Sequence, residues 1–163
     1  MLKQIIVFLF AVLVTNSLFA QSYKIKEESQ RVNNKKYAGV SSHVDGGFEK
    51  VEDFWLAYIK ENGKVRRKRN YYQLTEFNVK DLANDSVTYL TRVVNKDSSG
   101  LIWLAPLAKN LSEENIKALN GDSEKILKLA TRAFYIDVVQ KKIDQSEDAA
   151  IFVSKNHQKL IYK

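Results

Sequence analysis

The residues of this chain best suited to bind a ligand lie in one short basic segment. The stretch KVRRKRNYYQ, from Lys64 to Gln73, contains five cationic side chains and then two tyrosines. Clustered cations can hold a phosphate backbone, and tyrosine rings can stack on its bases. The candidate anion-binding residues are Lys64, Arg66, Arg67, Lys68, Arg69, Tyr71 and Tyr72.

Two structural explanations of the basic segment stand beside the functional one. In an extended strand Val65 and Arg67 share one face and Arg66 lies on the other, so cations reach both faces. Because neither face can then be buried, we expect a loop or an exposed strand end. Cations here would complement the negative C-terminal end of a preceding helix. They would also discourage aggregation at a sheet edge.

The positive charge of the chain is local. The formal net charge is +7, and the five cations of residues 64–69 supply most of it. The high pI therefore indicates a basic patch and not a field over the whole protein. The partner that this patch favours is an anionic envelope or extracellular polymer.

No arrangement of catalytic or metal-binding residues can be argued from the sequence. The two histidines, His43 and His157, stand far apart and outside any metal-ligand spacing. Ser41, His43 and Asp45 share one short segment, and adjacent strand residues do not provide the geometry of a catalytic triad. We therefore predict a protein that is not an enzyme, without cofactor or metal.

Large aromatic side chains offer a second kind of site. They could line a pocket for an apolar ligand between helix and sheet, although at such spacings aromatic residues often form the core. The candidate hydrophobic-ligand residues are Phe54, Trp55, Tyr58, Phe77 and Trp103.

The N-terminus has the pattern of a secretory signal. Lys3 precedes an apolar run from Ile5 to Val14, and Ala20 suits a signal peptidase. We expect residues 1–20 to be a signal peptide, with an uncleaved anchor as the alternative. The chain has no cysteine, which favours a bacterial periplasmic or secreted protein over an animal one. No integral membrane segment is expected after cleavage, and export argues against nucleic acid as a partner.

The spacing of apolar residues along the chain predicts its helices and strands. Residues 21–36 are polar without a clear period, so we predict a flexible lead-in. A strand at 37–44, an amphipathic helix at 48–62, and strands at 71–79, 85–95 and from 101 come next. The order β-α-β-β-β-α predicts an α+β domain. It would have an antiparallel sheet of about four strands and helices on one face.

The spacing of apolar residues in the C-terminal part of the chain predicts a long helix. A short helical turn at 112–119 should end at Asn120-Gly121, and the long helix should begin at Asp122 or Ser123. We expect a domain over 37–143 and a helical arm over 144–163. The arm either folds back across a break near Ser146 or pairs with another copy through 149–161. The expected core stripe is Ile126, Leu129, Ala133, Ile136, Val139 and Ile143.

These observations predict an exported, non-enzymatic binding or assembly module that engages an acidic partner through residues 64–69. The alternative is a small carrier of a hydrophobic or lipid ligand, held in a cavity between helix and sheet.

Overall fold

The computed structural model describes residues 24–78, 87–97, 99–107 and 113–161. They form an α+β structure with a six-stranded sheet and two helices. The expected signal peptide, residues 1–20, lies outside the described residues. None of the described helices combines the length and the apolar character needed to cross a membrane. The elements are β1 (Ile25–Val32), β2 (Lys35–Asp45), α1 (Phe48–Asn62), β3 (Lys64–Arg67), β4 (Tyr72–Thr75), β5 (Tyr89–Lys96), β6 (Ser99–Pro106) and α2 (Glu113–Ile161).

The sheet is antiparallel in every described pairing. Its strand order is β1-β2-β6-β5-β4-β3, so β6 lies near the centre and β1 and β3 are the edges. The β5–β6 hairpin has Lys96 opposite Ser99, and β6 also pairs along β2. Pro106, which lacks a backbone donor, is the last residue of β6. A proline at the end of a strand is compatible with this central position.

The prediction of about four strands was too low. One missed strand is β1, which occupies residues expected to be a flexible lead-in. Between Ile25 and Val32 its side chains are all polar, as suits a strand at the sheet edge, so it lacks the alternation that marks a half-buried strand. The other missed strand is β3, which spans only four residues inside the basic segment.

Helix α1 has the predicted bounds. Val51, Trp55 and Ile59 are fully buried against the sheet, and glycines flank the helix at both ends. The helix packs closely on β6, since a Cβ on Gly100 would lie 2.6 Å from Cγ1 of Val51. The glycine therefore lets α1 approach the centre of the sheet.

Helix α2 is continuous, contrary to the predicted stop at Asn120-Gly121 and to the first of the two alternatives for the arm. It passes through Asn120-Gly121 and through Ser146 without a break, so residues 113–119 are its first turns and the arm does not fold back. The helix would be about 74 Å long at 1.5 Å per residue. A compact domain of this size has a radius of gyration of only ~14 Å. The C-terminal half of α2 therefore extends beyond the sheet.

The predicted core stripe of α2 was wrong in part. Ile126 is buried as expected, but Leu129, Ile136, Val139 and Ile143 are large exposed side chains. Apolar residues surround much of this helix, so the sequence offered more than one stripe. The stripe that faces the sheet consists of Ile126, Leu127, Ala130 and Phe134, with Val138 half-buried at its end.

Both helices lie on one face of the sheet and share its main core. Phe134 of α2 meets Phe54 of α1 edge-on, with ring centroids 5.2 Å apart. The opposite face carries a smaller buried cluster of Val32, Leu90, Trp103 and Ala105. We call this opposite side the open face, because neither described helix packs on it.

Candidate anion-binding surface

The basic segment forms the edge strand β3 and the turn that follows it. In β3, Val65 is opposite Leu74 of the main core, so Val65 and Arg67 point to the helix side. Lys64 and Arg66 therefore point to the open face. At the end of the strand, the backbone N–H of Lys68 donates to the carbonyl of Tyr71, 2.9 Å away, and closes the turn. The fold thus spreads the predicted cations over both faces of one edge.

The cations differ in how they are paired. Lys64 forms an exposed ion pair with Glu76, with 2.6 Å between Nζ and Oε2. Arg66, Arg67 and Arg69 are exposed, and no carboxylate of the described residues pairs with them. Lys68 is half-buried. Among the described residues, nothing acidic therefore blocks the approach of an external anion to these three guanidinium groups.

Two clefts adjoin these cations. One, of about 390 Å³, is lined by Lys64, Val65, Arg66, Gln73 and Thr75. The second, of about 620 Å³, places Arg69 beside Arg31 at the β1–β2 turn. Its lining residues are Arg31, Asn33, Asn34, Arg69 and Asn70. The second cleft offers two guanidinium groups and three amides to one ligand.

Residues of the second cleft were missed in the sequence because they lie far along the chain. Asn33 Nδ2 donates to the hydroxyl of Tyr71, 3.3 Å away, across 38 positions. Asn33 and Asn34 both have positive φ, 48° and 64°, as the two central residues of a type I′ hairpin turn do. The Asn-Asn pair was thus a signal for this hairpin. Nothing local in the sequence indicates which segment the hairpin approaches.

The two tyrosines of the basic segment do not form one stacking platform. Tyr71 packs against the buried cluster of the open face. Tyr72 packs against the main core on the helix side. Because both rings are half-buried and lie on opposite faces, they support the edge strand more than they offer two free faces to bases.

A polar network crosses the open face beside this surface. Arg92 Nε donates to Gln30 Oε1 at 2.6 Å, and Gln30 Nε2 donates to Glu28 Oε1 at 2.9 Å. Partial burial alone would raise the pKa of Glu28. Hydrogen bonds from Ser41 and Gln30, with the charges of Lys96 and Arg92, outweigh it and lower the pKa from its ordinary value. The carboxylate therefore stays charged and ties β1 to β5.

One serine, histidine and aspartate do meet in the structure. His43 Nε2 lies 2.8 Å from Ser99 Oγ, and His43 Nδ1 lies 3.9 Å from Asp45 Oδ1. The Ser99 hydroxyl can also donate to the carbonyl of Lys96, 2.7 Å away, so this carbonyl competes with the histidine for the hydroxyl proton. The 3.9 Å separation is also too long for a hydrogen bond. This contact fastens the β5–β6 hairpin to β2, and it does not have the geometry of an activated nucleophile.

The candidate hydrophobic-ligand residues do not share one cavity. Trp55 and Phe77 are buried in the main core, with Tyr58 half-buried beside them. Trp103 lies on the open face in the other cluster. Only Phe54 lines a large groove, of about 710 Å³, between α1 and α2. Its apolar lining residues are Phe54, Ala57, Phe134 and Val138.

Within the described ranges no group of three histidine or acidic side chains is arranged to hold a metal ion. Comparisons with models of protein families, with curated proteins and with solved structures give no match to this chain.

Proposed function

We propose that this protein is an exported, non-enzymatic binding module that holds an anionic polymer along its basic β3 edge. The proposal rests on the exposure of Arg66, Arg67 and Arg69 and on the lack of a described ion-pair partner for them. All three are exposed, and no described carboxylate neutralises them. Guanidinium groups are suited to phosphate, sulfate and carboxylate groups because their donors form a planar fork.

The spacing of the charges favours a polymer over a small anion. Arg66 points to the open face, Arg67 to the helix side, and Arg69 to the cleft beside Arg31. One small anion cannot contact groups that point in different directions. A chain with repeated negative charges can pass along the edge and contact them in turn.

The chemical class of partner follows from the expected location. An exported protein meets anionic envelope and extracellular polymers, and it does not meet the cell's nucleic acid. Because cationic and amide side chains line the two clefts, this edge favours contacts with anionic groups over the binding of an apolar ligand.

Removal of Arg66 and Arg67 should weaken polyanion binding. We expect Arg66→Ser combined with Arg67→Ser to lower affinity for heparin. On duplex DNA, used only as a polyanion of known charge spacing, the log–log salt slope should fall by roughly 0.9 for each phosphate that the variant no longer neutralises. Stability should change little, since exposed charges contribute about 0–1 kcal/mol. Affinity and slope can be measured by fluorescence titration across a salt series.

The matched control removes two exposed cations from α2, Lys117 and Lys155, by the same change to serine. This control alters net charge equally and should leave affinity nearly unchanged. An equal decrease in affinity in the two double variants would point to net charge alone. An unchanged affinity and slope in the β3 variant would return these residues to a structural role.

The intact mass of the protein tests the proposed export. Because Lys3, the apolar run 5–14 and Ala20 predict cleavage, the protein purified from its host should have an intact mass that corresponds to a start near Gln21. A full-length cytoplasmic product would contradict export and restore nucleic acid as a candidate partner.

The groove between α1 and α2 supports a carrier as the second candidate. It joins apolar lining residues with charged ones such as Lys50 and Lys141, a combination suited to a lipid with a polar head. The same purified sample, examined by native mass spectrometry, distinguishes the candidates. A retained lipid mass favours the carrier, and its absence leaves the basic edge as the site.

A further inference from the structure

The extended half of α2 has apolar side chains that the domain does not cover. Ile136 is 58% exposed, Val139 55%, Ile143 45% and Val153 66%. The residues that anchor the helix, such as Ala130 and Phe134, face the sheet on another side. The exposed side chains are therefore available for a contact that the described domain does not make.

These residues follow the spacing of a helix–helix seam. Ile136, Val139 and Ile143 are separated by three and four positions, and Ala150 and Val153 continue the series after Ser146. Alternating steps of three and four define the a and d positions of a heptad, the positions at which two helices meet in a coiled coil. We call residues 136, 139, 143, 146, 150 and 153 the seam.

A depression of about 410 Å³ lies on the seam itself. Its lining residues are Val139, Lys142, Ile143, Ser146, Glu147 and Ala150. Each lining residue has another three or four positions away along the chain, so they lie side by side on one face of the helix. They make two successive four-residue holes of the kind that receive a side chain from a facing helix. Residues 139, 142, 143 and 146 form one hole, and residues 143, 146, 147 and 150 form the next.

We propose that the seam binds the same seam of a second copy of this chain, with the two α2 helices parallel and in register. Ile143 of each copy enters the first hole of the other, and Ser146 enters the second. The seam lies on a different side of α2 from the residues that pack on the sheet.

The charges beside the seam favour a parallel pair of helices over an antiparallel pair. Lys142 and Glu147 flank the seam at the g and e positions, five residues apart. On one helix this spacing does not bring them together, because helical neighbours are three or four residues apart. In a parallel pair, Lys142 of one copy meets Glu147 of the other. An antiparallel pair would place g beside g and e beside e, and would lack this attraction.

A charged residue marks the N-terminal limit of the seam. Arg132 occupies the d position before Ile136 and is exposed. In a parallel pair it would face the Arg132 of the second copy. We therefore start the seam at Ile136, although the exposed Leu129 continues the heptad spacing toward the domain.

Matched substitutions on α2 test the seam. Ile143 and Ile151 have similar exposure, 45% and 50%, but only Ile143 lies on the seam. Sedimentation of the purified protein should show a dimer. Ile143→Lys should give a monomer, and Ile151→Lys should remain a dimer. Circular dichroism checks that both variants keep their helix content. A monomeric parent protein, or equal behaviour of the two variants, would overturn the proposal.

Orientation has independent tests. Lys142→Glu and Glu147→Lys should each weaken the dimer, and the double reversal should restore it. The chain has no cysteine, so Ser146→Cys and Val139→Cys can be oxidised separately without interference. Both should form disulfide-linked dimers, whereas Asp148→Cys, off the seam, should not. If reversal fails to restore the dimer, or if only one seam cysteine crosslinks, the parallel in-register arrangement is wrong.

Discussion

A chain of hydrogen bonds passes through the sheet at the level of single residues. Trp55 Nε1 donates to Thr91 Oγ1 at 3.0 Å, and the Thr91 hydroxyl donates to the carbonyl of Trp103 at 2.7 Å. On the open face, Trp103 Nε1 donates to the carbonyl of Glu28 at 2.9 Å. Trp55, Thr91 and Trp103 are fully buried, so each indole N–H needs its partner. Thr91 thus joins α1 to the centre of the sheet.

Replacement of Thr91 should show the importance of this junction. Thr91→Val keeps the shape of the side chain but leaves the indole N–H of Trp55 without an acceptor. We expect a decrease of about 1–3 kcal/mol in the free energy of unfolding, the usual cost of a buried unsatisfied polar group. Urea denaturation measures it.

Thr91→Ser is the matched control, because it retains the hydroxyl. It should destabilise the protein less than the valine variant does. If serine costs as much as valine, the methyl packing of Thr91 and not its hydrogen bond would be the important contribution.

The candidate site could be found in the sequence only where its residues are contiguous. Lys64 to Arg69 are visible as a run, and their exposure follows from charge on both strand faces. Arg31 and Asn34 could not be associated with Arg69, because the β1–β2 turn reaches that cleft only through tertiary structure. The polarity of a short segment does not specify its distant neighbours.

At the level of elements, local signals identified α1 with its limits, and they identified α2 as a long helix but not its start or its buried side. Helix α1 has a single apolar face between two glycines, so its period and its limits agree. Helix α2 has apolar residues on more than one side, because one side binds the sheet and another is exposed. Periodicity alone could not assign the two sides. The expected stop at Asn120-Gly121 also failed. Leu119, Asp122 and Ser123 are buried there, and tertiary packing overrides the weak helix preference of glycine.

The edge strands were also missed by the prediction from sequence. In β1, only Gln30 and Val32 are buried, and the remaining residues are polar or partly exposed. Central strands differ, since every residue of β6 is buried and its apolar run is evident in the sequence. A strand that is buried on both faces has an apolar run that is easy to recognise in the sequence. An edge strand keeps polar residues, so its sequence resembles that of a loop.

At the level of the whole molecule, α2 has two parts with different roles. From Leu119 to Val138 the helix contributes to the main core or lies beside it. From Val139 to His157, every side chain is exposed. The first part belongs to the domain, and the second is a projecting arm whose apolar residues have no partner among the described residues.

Deletion of residues 144–163 should therefore separate assembly from stability. The deletion removes half of the seam, so we expect a monomer by sedimentation. Its thermal midpoint should stay within about 3 °C of the monomeric Ile143→Lys variant, because exposed residues contribute at most about 0.5 kcal/mol. Comparison with this variant, and not with the parent protein, excludes the stabilisation that dimer formation itself supplies. A fall of about 10 °C or more would show that the arm stabilises the domain by contacts within one chain. The stable domain would then extend beyond residue 143, contrary to the expected domain of residues 37–143.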